Sequence, residues 1–302
     1  MNQNRNALLK VYLEDKKKII DEALERYIPG VDNYPAVIFK AVRYSVFAGG
    51  KRIRPILCLA AAEATGGNIE AVIPVACALE LIHTYSLIHD DLPAIDDDDY
   101  RRGRLTSHKV FGEDIAILAG DALLTEAFRL MSEARLVEKI SPEILLLVIH
   151  DIAEAAGYFG MVGGQVVDVQ SERKAVDSSV LNYIHTRKTG AMIAVAVKAG
   201  AALSNAGDVE LNALIAYGRH IGLAFQIVDD ILNVEGDQAS LGKGIGSDAK
   251  RGKATYPALM GLEAARKKAV DLVENALSVL KNFDHRAEPL RMIAGYIAER
   301  RS

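Results

Sequence analysis

Proline is scarce in this chain: there are eight among 302 residues, and none lies between Pro142 and Pro257. A stretch that long without a helix breaker, rich in Ala, Leu, Ile and Glu, is what long helices require. Alternating strand patterns are missing as well, so the fold reads as all-α. Cysteine is almost absent. Cys58 in PILCLAAAE and Cys77 in PVACALE sit inside apolar runs, which predicts buried free thiols and not a disulfide. There is no basic excess either, since 36 Lys and Arg face 40 Asp and Glu for a net charge of -4. That balance gives no support to nucleic-acid binding, so an anionic ligand has to be held by local cations. No uninterrupted apolar run reaches the roughly 18 residues of a membrane span. The opening stretch, Met1 to Ile28, mixes both charge signs and lacks a signal-peptide core, which predicts a cytoplasmic protein.

Half of the chain is apolar, enough for a sizeable core in a globular protein, and no internal repeat is visible; residues 1–302 are read as a single domain. Helices are expected over Ala7–Tyr27, Tyr34–Phe47, Pro55–Thr65, from near Pro74 to the aspartates after His89, and over Asp114–Met131. Ser141-Pro142-Glu143 has the cap, first-turn proline and acidic residue of a helix start, and that helix runs to Ala156. Gly157, Gly160, Gly163 and Gly164 should loosen or kink it. Asp177 starts the next helix, with breaks near Gly190 and Gly200, and Asp208 caps the one after. The stretch Leu241–Thr255 is rich in Gly and Lys and reads as a mobile lid. It is not a P-loop: five residues separate Gly236 from Gly242-Lys243, and Gly244 stands where Ser or Thr belongs.

Against these absences stands HDDLPAIDDDDYRRGRL, from His89 to Leu105. Asp90, Asp91, Asp96, Asp97, Asp98 and Asp99 fall within ten residues, followed by Arg101, Arg102 and Arg104. Two carboxylates about 4 Å apart repel by roughly 4 kcal/mol at an effective dielectric of 20, so the cluster needs cations. An all-oxygen site suits Mg²⁺ completed by substrate phosphates, and the arginines suit the same phosphates. Pro93 breaks the helix, and the turn that follows can return Asp96 to Asp90.

A second acidic site is Asp229-Asp230-Ile231-Leu232-Asn233. At about 100° per residue, positions 229, 230 and 233 project from one helical face towards one metal cluster, unless neighbouring cations satisfy the pair. Gly49 to Pro55, GGKRIRP, supplies cations at a helix start, where Lys51 and Arg54 can close round a phosphate. His83, about 20° off the face of Asp90, is either a core residue or a group turned to the same cavity. Lys188-Thr189, Phe225-Gln226 and the pair Gln165 and Asp168 place polar groups in otherwise apolar helices.

Taken together, GGKRIRP, IHTYSLIHDDLPAIDDDDYRRG, RKTGA, FQIVDD and LGK with KATYPAL resemble, in order and spacing, the trans-isoprenyl diphosphate synthases, closest to the bacterial farnesyl type. The resemblance spans Tyr34 to Leu262. It implies a helical bundle with a central cavity, and a homodimer. Asp90, Asp96 and Asp229 would hold Mg²⁺. Gly50, Lys51, Arg54, His83 and Arg102 would hold isopentenyl diphosphate, while Arg101, Lys188, Thr189, Gln226 and Lys243 would hold the allylic diphosphate. Lys188, Thr189 and Gln226 would be the catalytic groups. Asn233 departs from the family pattern, in which the second motif has a third aspartate, and a neutral amide is a poorer metal ligand. Tyr85 and Ser86 lie about 6 to 7.5 Å before Asp90 along the helix and would set product length. In the family, an aromatic at the fifth position before the motif goes with a fifteen-carbon product, with geranylgeranyl and geranyl diphosphate as the alternatives. A non-catalytic subunit of a heteromeric prenyltransferase is a remoter reading. Asp97, Asp98 and Asp99 have no assigned role.

Overall fold

The structure is a computed structural model describing residues 2–235 and 253–299. Its first half comprises α1 (Asn2–Tyr27), α2 (Ala36–Val46), α3 (Ile53–Ala64), α4 (Ile69–Asp90), α5 (Ser107–Phe111), α6 (Glu113–Met131) and α7 (Pro142–Ala156). The rest comprises α8 (Met161–Ser171), α9 (Ser178–Ile184), α10 (Ala191–Leu203), α11 (Asp208–Glu235), α12 (Tyr256–Met260), α13 (Leu262–Val279) and α14 (Glu288–Glu299). The all-α expectation holds. One short hairpin adds to it, β1 (Tyr100–Arg101) against β2 (Arg104–Leu105), with Tyr100 opposite Leu105. Arg102 and Gly103 both have positive φ, 54° and 75°, as a tight hairpin turn of the I′ type demands. Two-residue strands are too short to leave an alternating pattern.

Helix starts follow local chemistry. Ser141 Oγ accepts from the Ile144 amide at 3.3 Å, and Asp177 Oδ1 accepts from the amides of Ser179 and Val180 at 2.8 and 3.0 Å. The start expected near Pro74 lies earlier. Asn68 caps α4 by accepting from the Glu70 amide at 3.0 Å, and Pro74 falls inside the helix. The kink after Ala156 occurs, and α8 begins beyond Gly160. Near Gly190 the chain forms a π-helical turn, His185–Gly190, whereas Gly200 lies within the unbroken α10. A π turn often marks a functional site, because one wide turn re-aims the side chains it carries.

Helix α4 is buried on nearly every side and packs against α3, α6 and α10. One core surrounds it with residues of α1, α2, α6 and α7, and a second gathers α11, α13 and α14. α3 and α10 contribute to both, and both cysteines are buried and unbridged. By length and composition alone, Ile69–Asp90 and Pro142–Ser171 are apolar enough to cross a membrane. The first is 78% buried inside the fold; the second is 33% buried and is interrupted at Gly157–Gly160.

Candidate active site

A cavity of about 580 Å³ opens beside the end of α4. Arg54 from α3, His83, Tyr85, Ser86 and Asp90 from α4, and Lys188 and Thr189 from the π turn line it. Met161, Val162, Val166 and Val169 of α8 supply an apolar wall. The close approach of α8 to the π turn depends on Gly164, where a Cβ would collide with the Lys188 backbone.

The turn after α4 does return Asp96 to Asp90. The Asp96 amide donates to the Asp90 carbonyl at 2.8 Å, and the amides of Asp97 and Asp98 donate to Leu92 and Asp91. Burial pushes the Asp90 carboxyl up to about 6, and the neighbouring charges of Asp96 and Asp91 add to the rise against Lys188 and Arg101. Crowded, partly desolvated oxygens of this kind fit a hard cation. The hairpin parts the two arginines. Arg101 Nε donates to both Asp91 oxygens at 2.8 Å, while Arg102 donates to the Gly49 carbonyl and lies over Gly50. A Cβ on Gly50, whose φ is +132°, would fall 2.7 Å from the Arg102 guanidinium.

His83 sits in the field of Arg54, Arg102, Arg101 and Arg52, and burial followed by those charges holds its ring well below the usual imidazole range. Arg54 Nε is buried with no hydrogen-bond partner among the described residues. Lys51 is exposed on the loop before α3. Ser86 Oγ donates to the His83 carbonyl at 2.8 Å, and the Tyr85 ring stands edge-on to His89 with centroids 5.7 Å apart.

Asp229 and Asn233 are half-buried on α11, and Asp229 acts electrostatically on Arg54. Asp230 does not share their surroundings. It is 3% exposed, accepting from His185 Nε2 at 2.9 Å, the Tyr256 amide at 3.0 Å and Gln226 Nε2 at 3.2 Å. A quarter turn from Asp229 is enough to point it into the packing between α11, the π turn and α12. Gln226 lies outside the cavity lining. Lys243, like most of Leu241–Thr255, lies outside the described residues.

Three groups have partners that the sequence reading did not assign, although it noted Asp168 as a polar group. Lys253, in the KATYPAL stretch, places Nζ 3.0 Å from Asp96 Oδ1. Asp168 receives Lys188 Nζ at 2.6 Å. Arg52 is 3% exposed at φ 52°, donating to Asp21, Glu80 and the Val46 carbonyl at 2.8, 2.8 and 2.7 Å. From sequence, Lys51 and Arg54 go to a phosphate and Arg52, between them, has no assigned role. Among the described residues, the sets of three acidic or His side chains close enough to share a metal are Asp97, Asp99 and His108, and His150, Asp151 and Glu154; Asp90, Asp96 and Asp229 do not form such a set. Asp99 is also paired with Lys109 at 2.7 Å, and Asp98 lies 3.6 Å from Arg101.

Comparison with known proteins gives this arrangement its context. The family described as polyprenyl synthetase matches residues 35–292. The chain is 48% identical over 289 residues to a farnesyl diphosphate synthase of Geobacillus stearothermophilus, covering 96% of this chain and 97% of that protein. It is 47% identical over 296 residues to a geranylgeranyl diphosphate synthase of Cyanophora paradoxa, covering 98% and 97%. The solved geranylgeranyl pyrophosphate synthetase of Pyrococcus horikoshii Ot3 matches with a TM-score of 0.89 at 31% identity, covering 98% of this chain and 99% of that one. The likeness runs through both aspartate stretches and nearly end to end, so the chain belongs to the polyprenyl synthetase family and is a trans-prenyl diphosphate synthase.

Proposed function

We propose that the protein condenses isopentenyl diphosphate with dimethylallyl or geranyl diphosphate, giving farnesyl diphosphate and pyrophosphate with Mg²⁺ as cofactor. One observation carries the reading. A single cavity joins the charged groups Arg54, Asp90 and Lys188, with neutral His83 beside them, to an apolar wall and the Tyr85 ring, which suits a diphosphate attached to a hydrocarbon.

Asp90, Asp96 and Asp229 would hold Mg²⁺, and the ion supplies charge that stabilises the departing pyrophosphate. Lys188, Arg101 and Lys243 bind the allylic diphosphate. Gly50, Lys51, Arg54, His83 and Arg102 bind isopentenyl diphosphate. The allylic C1–O bond breaks and its electron pair leaves with pyrophosphate. The Thr189 hydroxyl, on the cavity lining, serves the allylic cation as a neutral dipole, and Gln226, outside that lining, would add its amide dipole from behind. The isopentenyl double bond then forms the new bond to C1, and the proton lost from isopentenyl C2 goes to pyrophosphate. Tyr85, with Ser86 beside it, limits the chain. A geranylgeranyl product is the second reading, favoured by the Cyanophora relative.

We further propose one domain over residues 1–302, a cytoplasmic location and a homodimer. Support for the dimer comes from Leu118 on α6 and Leu146 and Leu147 on α7, which are exposed on helices in contact with each other. Pyrophosphate release that requires both substrates and Mg²⁺, and that falls by about 100-fold or more in Asp90→Asn and Asp229→Asn, is the expected test result. Release that persists without divalent metal would overturn the reading.

A further inference from the structure

Asp230 is the acidic residue of the FQIVDD stretch to which the reaction above gives no role, and its surroundings are unlike those of a metal ligand. Both oxygens are engaged. Oδ2 accepts from His185 Nε2 at 2.9 Å and from the Tyr256 amide at 3.0 Å; Oδ1 accepts from Gln226 Nε2 at 3.2 Å. The His185 ring stacks on Tyr256 with centroids 5.2 Å apart and an interplanar angle of 27°. Tyr256 in turn donates through its hydroxyl to Asn182 Oδ1 at 3.2 Å.

We propose that Asp230 is a positioning residue, not a metal ligand: through His185 it fixes the π turn that carries Lys188 and Thr189 into the cavity, and it orients the Gln226 amide beside that turn. The inference rests on the condensation reading for its chemical meaning. His185 begins the π turn, and Lys188 and Thr189 follow within it, lining the cavity. A wide turn has more conformational freedom than an α-helical one, and a buried hydrogen bond at its first residue selects one of its arrangements. The second bond acts on polarity. An amide can present either its NH₂ or its oxygen, and the two ends have opposite effects on a cation. By taking the Gln226 NH₂, Asp230 fixes which end of that amide is engaged and which is left to act as a negative dipole. KATYPAL then has a use beyond its lysine, since the Tyr256 amide and ring complete the seat of Asp230 and His185.

The experiment compares the parent with Asp230→Asn, His185→Phe, His185→Gln and, as a metal-ligand reference, Asp229→Asn. Two readouts are taken: steady-state condensation against Mg²⁺ concentration, and calorimetry of inorganic pyrophosphate binding over the same Mg²⁺ series. Asp230→Asn and His185→Phe lower kcat by about 10- to 100-fold, the usual cost of losing a supporting partner. They leave the Mg²⁺ midpoint of pyrophosphate binding where the parent has it, while Asp229→Asn moves that midpoint upward. His185→Gln, which keeps a donor, recovers much of the loss. A midpoint for Asp230→Asn displaced like that of Asp229→Asn would make Asp230 a metal ligand and overturn the proposal, as would parental kcat in His185→Phe. Should Asp230→Asn fail to fold, the two His185 variants decide alone. A parent that binds pyrophosphate without condensing anything sinks the functional reading, and the calorimetric comparison still judges Asp230.

Discussion

Lys253 Nζ lies 3.0 Å from Asp96 Oδ1 and 3.8 Å from Asp168 Oδ2, and the same Asp168 oxygen takes Lys188 Nζ at 2.6 Å. Charges of alternating sign thus run from the loop after α4, through Lys253 at the start of KATYPAL, to α8 and the π turn. Under the proposed condensation, a diphosphate held through metal at Asp96 would draw on both cations.

Lys253→Ala is therefore predicted to lower kcat/KM for the allylic substrate by roughly 10- to 100-fold, the scale of a charge-assisted hydrogen bond, with the KM for isopentenyl diphosphate unchanged. Lys253→Arg keeps the charge and loses less. Separate saturation curves for the two substrates check the asymmetry, and equal effects on both would contradict it.

A second prediction concerns stability. Arg52 and Glu80 form an ion pair with both side chains 2% exposed. Removing one member leaves the other charge buried, so Arg52→Met should cost about 3–5 kcal/mol in urea unfolding. The double variant Arg52→Met with Glu80→Leu is expected to recover much of that loss. If it does not, the pair is not what Arg52 contributes.

Neutral His83 gives a pH dependence whose sign is fixed. Its folded-state pKa lies below the ordinary value of about 6.5, through burial first and then the surrounding arginines. Below about 6.5 the unfolded chain takes a proton that the folded ring refuses. Stability contributed by His83 is thus fully present above that pH and falls as pH drops, by up to about 1.4 kcal/mol per unit. Burial lowers His220 in the same direction, so the diagnostic is a difference between proteins. Urea midpoints of His83→Asn should decline less between pH 7.5 and pH 5.5 than those of the parent.

Much of the site was legible because it depends on local chemistry. Pro93 broke α4 and returned Asp96 to Asp90, and the caps at Ser141 and Asp177 lie where their side chains can reach orphan amides. Asp230 was not legible in the same way. A helical wheel gives the angle between neighbours but not which neighbour is already claimed by His185, 45 residues away in sequence. The hairpin at Arg102-Gly103, the early start of α4 at Asn68, and the pairing of Lys253 with Asp96 across 157 residues are likewise set by tertiary partners or by elements too short to show a period.

Chain length supplies the fourth prediction. The Tyr85 side chain is buried at the cavity wall, so Tyr85→Ala opens space below Asp90. Products longer than the parent's are expected, read by chromatography of the dephosphorylated alcohols. Unchanged products would remove Tyr85 as the limit.

The most direct measurement is incubation of the purified parent with isopentenyl diphosphate, dimethylallyl diphosphate and Mg²⁺, followed by identification of the prenyl product. A fifteen-carbon diphosphate is the expected main product, with none formed when the metal is chelated. A dominant twenty-carbon product would contradict the assignment of Tyr85, and hydrolysis of the allylic substrate without any condensation would contradict the proposed function.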